Sequence, residues 1–209
     1  MSYIALDIET VANGDMVSKL PEPEVKLGNL KDPAKINEKI VEAKQKQIEG
    51  MALDPLYGKV CCVGMYFFTD PEGDDGRYET LIGGEEADIL KETAKMLTGH
   101  NGLITFNGKN FDIPFLLKRM AILNVPNKLN IHQLTEPNYD VMQMWAGRNG
   151  YVSLNTLADI VLGEKKEELD VRLISLYIAN GKEDKVIEYC KRDVELTAKL
   201  FKRIRGIFA

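Results

Sequence analysis

The sequence is poor in the residues that build zinc centres and disulfide frameworks. It contains two histidines and three cysteines among 209 residues. Cys61, Cys62 and Cys190 show neither the spacing of metal ligands nor an even-numbered disulfide pattern. These shortages argue against a histidine-rich zinc site, and they are typical of a protein from a reducing compartment.

Long apolar runs are also missing. No run approaches the ~20 residues that a membrane-spanning helix requires. The first residues enter a predicted strand and have no signal-peptide layout. We therefore expect a cytoplasmic protein that makes no contact with a membrane.

The chain carries no excess of positive charge. Its 27 Lys and Arg residues and 32 Asp and Glu residues give a net charge of −5. A protein that coats nucleic acid with a broad basic surface has the opposite balance, so this class is disfavoured. An enzyme that holds nucleic acid through bound cations remains compatible with the composition.

Strand-like and helix-like segments alternate along the chain, and their order predicts an α/β fold. The first predicted strand begins at Tyr3, and the others lie at 58–68, 77–82, 102–108 and 139–142. Predicted helices lie at 31–50, 85–97, 112–123, 153–163, 171–180 and 183–205. We expect antiparallel pairing early in the sheet and parallel pairing where helix 85–97 crosses over to the next strand. The length suits a single domain over residues 1–209, with a partly helical insertion at about 11–57.

The first strand ends in two acids, in the stretch ALDIET at residues 5–10. Asp7 and Glu9 are two residues apart, so their side chains point to the same face of a strand. Like charges at the edge of a core repel each other and lose hydration unless a cation lies between them. With 32 acids in the chain, such a pair also arises by chance at a solvated strand end, so the rest of the sequence must decide.

Two further segments place acids beside predicted core elements. Asp112 follows an apolar strand, at the start of a predicted helix. Functional sites in α/β folds are often built at this position, but an aspartate there can equally serve as a helix cap. On the last helix, Tyr189 and Asp193 are four residues apart and share one face, as a functional pair or as a tyrosine bonded to a local acid. They flank an apolar stripe at helical spacing, which consists of Val186, Cys190, Val194, Thr197 and Phe201.

Taken together, the segments DIET, FNGKNFDIPFL and YCKRD resemble, in residues and in order, the DEDD superfamily of 3′-to-5′ exonucleases. These enzymes have a ribonuclease H-like fold, with a mixed central sheet flanked by helices. The chain is most similar to the proofreading domain of family-B DNA polymerases and to its stand-alone relatives. Because Tyr189 stands four residues before Asp193, and residue 188 is not histidine, the resemblance is to the tyrosine subclass, DEDDy.

The resemblance implies a site for two Mg²⁺ or Mn²⁺ ions. Asp7 would bridge both ions. Glu9 and Asp193 would complete the ion that serves the attacking water, Asp112 would serve the other ion, and Tyr189 would orient the water. Four carboxylates balance two divalent ions in formal charge, and hard oxygen ligands suit these metals.

The resemblance also implies contacts with the substrate. Thr10 and the backbone around Ile8 would meet the terminal nucleotide. Asn107 and Phe111 would position the last bases, with the Phe111 ring as a stacking surface. Asp140 is a further candidate neighbour of the site, although an ordinary strand-end aspartate is the stronger interpretation.

The leading hypothesis is a 3′-to-5′ exonuclease that hydrolyses DNA from single-stranded or frayed 3′ ends, releases nucleoside monophosphates and serves in proofreading. Its partner would be nucleic acid with a free 3′ end. We expect no polymerase domain fused to so short a chain, so a separate DNA polymerase is a candidate protein partner. The motifs fit an RNA-trimming exoribonuclease of the same subclass equally well. A fold that binds nucleic acid or a partner without cutting is disfavoured, because the four acids and the tyrosine are all present.

Overall fold

A five-stranded mixed sheet forms the centre of the protein in a computed structural model, which describes residues 2–69, 76–100, 102–127, 138–166 and 169–208. Its strands are β1 (Tyr3–Ala12), β2 (Gly58–Phe68), β3 (Arg77–Ile82), β4 (Gly102–Thr105) and β5 (Asn138–Asp140). They lie side by side in the order β3-β2-β1-β4-β5. The antiparallel pairs β1–β2 and β2–β3 and the parallel pairs β1–β4 and β4–β5 confirm the predicted mixture of directions.

Helices cover both faces of the sheet, most of them close to their predicted bounds. They are α1 (Pro33–Gly50), α2 (Glu86–Met96), α3 (Asp112–Ile122), α4 (Val141–Ala146), α5 (Leu154–Leu162), α6 (Ile174–Ala179) and α7 (Glu183–Phe208). Of these helices, α4 was not predicted. The predicted last strand is shorter than expected, because the Asp140 side chain accepts the N–H of Gln143 and so starts α4. The predicted helix at 171–180 begins with a separate 3₁₀ turn, Val171–Leu173, which Asp170 caps.

Alternation along β1 divides its side chains between two cores. Ile4 and Leu6 pack in the core that α2 and α3 cover, whereas Tyr3 packs in the core that α5 and α7 cover. Asp7 and Glu9 continue the second set, since side chains two residues apart share a face. Both acids therefore point to the side of the sheet that carries α7.

The longest helix in the described part of the chain, α7, spans 26 residues and crosses this face of the sheet. The apolar stripe predicted for it is confirmed. All five residues are buried: Val186, Cys190, Val194, Thr197 and Phe201. Among the described residues, no helix combines the length and the apolar character that crossing a membrane requires.

The edge of β1 that faces β4 becomes free halfway along the strand. On β1, only Tyr3–Ala5 pair with β4. β4 ends at Thr105, short of the predicted residue 108. The chain then turns away through Asn107, whose φ of 62° cannot continue a strand. No neighbouring strand in the described ranges covers this side of β1 next to Asp7 and Glu9.

The pairing of β1 with β2 shifts by one residue beside these acids. Glu9 pairs with Cys62 and Thr10 pairs with Val60, so Cys61 is an extra residue in β2. The Cys61 thiol donates to the carbonyl oxygen of Glu9 at 3.3 Å. A bulge of this kind bends the strand and redirects side chains, and bulges are common next to active sites.

The insertion between β1 and β2 returns to the sheet beside the same end of β1. α1 buries none of its residues, but the segment after it contacts the strand, because the Thr10 hydroxyl donates to the carbonyl oxygen of Ala52 at 2.7 Å. The segment is also tied to the helices, since the buried Arg119 donates to both the carboxylate of Glu86 and the carbonyl oxygen of Pro55. These contacts fix the insertion next to Glu9.

Candidate active site

The acids that the sequence singled out converge where β1, α3 and α7 meet. They are Asp7 and Glu9 on β1, Asp112 at the start of α3 and Asp193 on α7. Asp112 is not the cap of its helix, because Phe111 occupies the cap position. Its Oδ1 instead accepts the N–H of Ile8 at 3.1 Å. The Asp112 carboxylate is thereby fixed to the open edge of β1 at Ile8, the residue between Asp7 and Glu9 in the sequence.

Burial raises the pKa of every carboxyl group in this cluster, and like charge adds to this effect at Asp7, Glu9 and Asp112. The pKa of Asp7 lies well above its usual range, first because of burial and then because of the charges on Asp112, Glu9 and Asp193. Burial raises the pKa of Glu9 to about 8 and that of Asp112 to about 7. Burial also raises the pKa of Asp193, although Lys166 acts in the opposite direction. Without an added cation, the four groups cannot all be ionised at neutral pH.

The oxygen atoms of these acids suit divalent cations. Oδ1 of Asp193 is buried and has no hydrogen-bond partner within the described ranges, an arrangement that is costly unless a ligand is present. Ligand atoms of Asp7, Glu9 and Cys190 lie within 4.8 Å of one another, close enough for one ion to contact all three. Carboxylate oxygens are the ligands that Mg²⁺ and Mn²⁺ prefer. The carboxylate oxygens in this group therefore fit the ions that the sequence resemblance implies.

Lys166 contacts two of the predicted site residues, although the sequence did not predict it. Its Nζ donates to Tyr189 Oη at 2.8 Å and to Asp193 Oδ2 at 2.7 Å. Burial acts to lower the pKa of Lys166, but the charge of Asp193 and the two hydrogen bonds raise it above its usual value. Lys166 is therefore a permanent cation in the site. In the stretch GEKKEELD it belongs to an ordinary charged run, and only its tertiary contacts distinguish it.

Tyr189 keeps its proton at neutral pH. Burial raises the pKa of its hydroxyl, and the hydrogen bond from Lys166 only partly offsets that effect. An ammonium group can only donate hydrogen bonds, so Tyr189 Oη accepts from Lys166 and retains its own proton for a third group. The tyrosine can therefore orient a water molecule by hydrogen bonding, but it is a poor base.

Two residues predicted to meet the terminal nucleotide are already engaged within the protein. The Thr10 hydroxyl proton is donated to Ala52, which leaves only the oxygen lone pairs for another contact. The Ile8 N–H is donated to Asp112, and the Ile8 residue is 5% exposed. Their contact with substrate stays a prediction, and fewer of their groups are available for it than the sequence implied.

Asn107 and Phe111 lie on the loop that leads from β4 into α3, and Asp140 holds this loop in shape. The Asp140 carboxylate accepts the N–H of Asn107 at 3.0 Å and the N–H of Lys109 at 3.1 Å. The Phe111 ring packs 5.5 Å from the ring of Phe115, measured between centroids. Asp140 is thus a buried strand-end residue that positions the predicted substrate loop.

The chain is similar in sequence to known proteins. A family model described as the RNase H superfamily matches residues 47–205. DNA polymerase 1 from Aeropyrum pernix is 27% identical over 150 residues, which are 62% of this chain and 14% of the polymerase. DNA polymerase 1 from Sulfolobus acidocaldarius is 29% identical over 133 residues, which are 55% of this chain and 15% of that polymerase. The aligned part is therefore a small fraction of each of these relatives.

The fold is also similar to a solved structure, that of the family B DNA polymerase from the hyperthermophilic archaeon Pyrobaculum calidifontis. The TM-score is 0.63 at 15% identity, and the match covers 98% of this chain and 24% of the polymerase chain. The ribonuclease H-like α/β fold and the resemblance to family-B polymerases, both expected from the sequence, are confirmed. The tyrosine subclass stays a prediction.

The raised carboxyl pKa values predict that the metal-free protein loses stability as the pH rises. Folded Glu9 and Asp112 have pKa values of about 8 and about 7, whereas unfolded carboxyl groups titrate near ~4. The folded state therefore keeps protons that the unfolded chain releases. This stability is fully present below the unfolded pKa values and is lost as the pH rises through the folded ones.

Urea unfolding in the presence of a chelator, at about pH 5 and about pH 8.5, measures this loss. The free energy of unfolding of the Glu9→Gln, Asp112→Asn double variant should fall less between the two pH values than that of the wild type. The difference should be at least ~1.4 kcal/mol, the equivalent of one pKa unit. Millimolar Mg²⁺ or Mn²⁺ should restabilise the wild type at the higher pH. Equal losses in wild type and variant would show that these carboxyl groups do not control the pH dependence.

Proposed function

The chain belongs to the RNase H superfamily, and we propose that within it the protein is a 3′-to-5′ exonuclease of the tyrosine subclass that depends on two divalent ions. It would hydrolyse DNA from single-stranded or frayed 3′ ends and release nucleoside monophosphates. The observation that supports this most directly is the convergence of the acidic cluster, with Tyr189 and Lys166 beside it. The acidic cluster consists of Asp7, Glu9, Asp112 and Asp193.

The acidic cluster would hold the ions. Asp7 would contact both, Glu9 and Asp193 would complete one, and Asp112 would contribute to the other. When bound, two divalent ions stabilise the charge on the attacking and leaving oxygens of an in-line phosphoryl displacement. The buried Oδ1 of Asp193, which has no partner among the described residues, supports this assignment.

Tyr189 and Lys166 would position the attacking water. Lys166 donates to Tyr189 Oη at 2.8 Å, which fixes the direction of the hydroxyl and leaves its proton free for the water. Because the pKa of Tyr189 is raised, the hydroxyl stays protonated and acts by orientation. Lys166 also supplies a positive charge beside Asp193, which favours binding of an anionic phosphodiester.

The loop between β4 and α3 would receive the 3′ end. The partly buried Phe111 can offer a stacking face to a base, and Asn107 can offer its side chain, while Thr10 and the backbone around Ile8 would border the terminal nucleotide. A stacking face accepts an unpaired base and cannot accept one that is paired within a duplex. This requirement supports a preference for single-stranded or frayed ends.

The similarity to polymerases that are named for DNA synthesis supports DNA as the substrate and proofreading as the role. A separate DNA polymerase is then the candidate protein partner. An exoribonuclease of the same subclass would use the same acids, and a comparison of DNA with RNA in one assay separates the two activities.

A nuclease assay on single-stranded DNA tests the proposed function. With Mg²⁺, a 3′-labelled oligonucleotide should lose its label first as a mononucleotide, while a 5′-labelled one should shorten stepwise. An RNA oligonucleotide of the same sequence should be degraded more slowly than the DNA, and so should a blunt duplex.

Asp7→Asn should abolish cleavage, because Asp7 contacts both ions in this scheme. Asp170→Asn is the control and should cleave like the wild type, because Asp170 is an exposed acid outside the site. Cleavage in a chelator, internal fragments or digestion from the 5′ end would refute the proposal.

Tyr189→Phe should reduce turnover without abolishing it. The change removes an orienting hydroxyl but no ion ligand, so the loss should lie at or below the low end of the ~10²–10⁴-fold range for positioned catalytic groups. Single-turnover cleavage rates, together with binding of the DNA and of Mn²⁺, measure this. Tyr151→Phe is the matched control, because Tyr151 is 80% exposed. A Tyr189→Phe rate equal to the wild-type rate would mean that the tyrosine only packs against Lys166.

A further inference from the structure

Cys190 brings a sulfur atom to the acidic cluster. Its Sγ lies 3.7 Å from Oδ2 of Asp7 and 3.8 Å from the Asp7 carbonyl oxygen. The residue is fully buried at 0% exposed, and it lies on α7 three positions before Asp193. Among the described residues, Cys190, Asp7 and Glu9 form a group whose ligand atoms are all within 4.8 Å of one another.

A glycine in the neighbouring strand makes room for this sulfur. Gly64 of β2 pairs directly with Asp7, and a Cβ atom added to Gly64 would lie 2.6 Å from Cys190 Sγ. Any larger residue would therefore displace the sulfur or α7. The missing side chain lets α7 approach the sheet closely enough for Sγ to lie beside the Asp7 carboxylate.

The sulfur–oxygen spacing matches two ligands of one tetrahedral zinc ion. Zinc–thiolate and zinc–carboxylate bonds of ~2.3 Å and ~2.1 Å at a tetrahedral angle place sulfur and oxygen ~3.6 Å apart. The observed separation between Cys190 Sγ and Asp7 Oδ2 is 3.7 Å. Magnesium and manganese prefer oxygen ligands, so the thiol is a ligand only for softer ions.

A further buried carboxylate lies on α7, three positions after Cys190. Asp193 Oδ1 is buried and without a hydrogen-bond partner within the described ranges, and the residue is 7% exposed. The charge of Asp193 also raises the pKa of both Asp7 and Glu9. Asp193 is not one of the three described residues whose ligand atoms all lie within 4.8 Å of one another. The two strand carboxylates and the thiol therefore make a three-ligand set, which zinc accepts with a water molecule in the fourth position.

We propose that Asp7, Glu9 and Cys190 form a binding site for a thiophilic divalent ion such as Zn²⁺ or Cd²⁺, and that this ion inhibits the enzyme. On binding, the Sγ–H bond of Cys190 breaks, an Sγ–metal bond forms, and the proton passes to solvent. The bound ion occupies Asp7, the residue that both catalytic ions would need. The coordination stands independently of catalysis, whereas the inhibition rests on the proposed exonuclease function.

Co²⁺ is the probe for coordination, because thiolate-bound cobalt absorbs in the near ultraviolet through charge transfer from sulfur. The wild type should show this band with one ion per chain, and Zn²⁺ should remove it by displacement. Cys190→Ser and Cys190→Ala should lack the band. Cys61→Ser should keep it, because the Cys61 thiol donates to the Glu9 carbonyl and lies outside the group. Absence of the band in the wild type, or its loss only in Cys61→Ser, would overturn the proposal.

Two additional measurements complete the test. X-ray absorption of the zinc-loaded wild type should show one sulfur at ~2.3 Å. A coordination shell without sulfur would overturn the site even if the Cys190 variants fail to fold.

The nuclease assay with Mg²⁺ tests the inhibition, with each rate normalised to its zinc-free value. The Zn²⁺ concentration that inhibits the wild type should be at least ~10-fold lower than the concentration that inhibits Cys190→Ser. Equal inhibition would overturn the regulatory part. A cobalt band in a protein without Mg²⁺-dependent cleavage would refute the proposed function and leave the metal site intact.

Discussion

The repulsion among four carboxylates that share one poorly hydrated space is the constraint on which this site depends. Burial raises the pKa of each carboxyl group in the acidic cluster, and the charges of neighbouring members raise several of these pKa values further. Lys166 is the cation that contacts them directly in the described structure, and one positive charge cannot balance four negative ones. The arrangement is costly in a metal-free protein, and bound divalent ions would offset that cost. The architecture around β1 can be understood as the means of holding this arrangement together.

Three local features of the sheet produce the arrangement. β4 pairs with β1 only at Tyr3–Ala5, which leaves the edge of β1 open for Asp112 to accept the Ile8 N–H. The extra residue in β2 bends the pair of strands beside Glu9. Gly64 lets α7 approach, so that the Cys190 sulfur reaches the Asp7 carboxylate. The acids are thus positioned by backbone geometry, which explains how a short, otherwise ordinary α/β domain supports so concentrated a charge.

Much of this could be predicted from the sequence, because it depends on local periodicity. The two-residue spacing of Asp7 and Glu9 predicts a shared face, and the helical spacing of Tyr189 and Asp193 predicts their proximity. Lys166 could not be predicted, because it lies in a charged run that resembles a solvated surface and acquires its contacts only when α7 packs beside it. Cys190 was correctly predicted as a core residue of α7, but its contact with Asp7 depends on Gly64 in a different strand. The engagement of Thr10 by Ala52 depends likewise on how the insertion returns to the sheet.

The central claim is that the acidic cluster exists to bind divalent ions, and the number of Mn²⁺ ions bound per chain tests it most directly. Calorimetric titration of the metal-free protein near neutral pH avoids any assumption about the substrate. We expect two ions in the wild type, with loss of both high-affinity sites in Asp7→Asn and little change in Asp170→Asn, whose acid lies outside the cluster. Absence of Mn²⁺ binding in the wild type, or the same number and affinity of ions in Asp7→Asn, would contradict it.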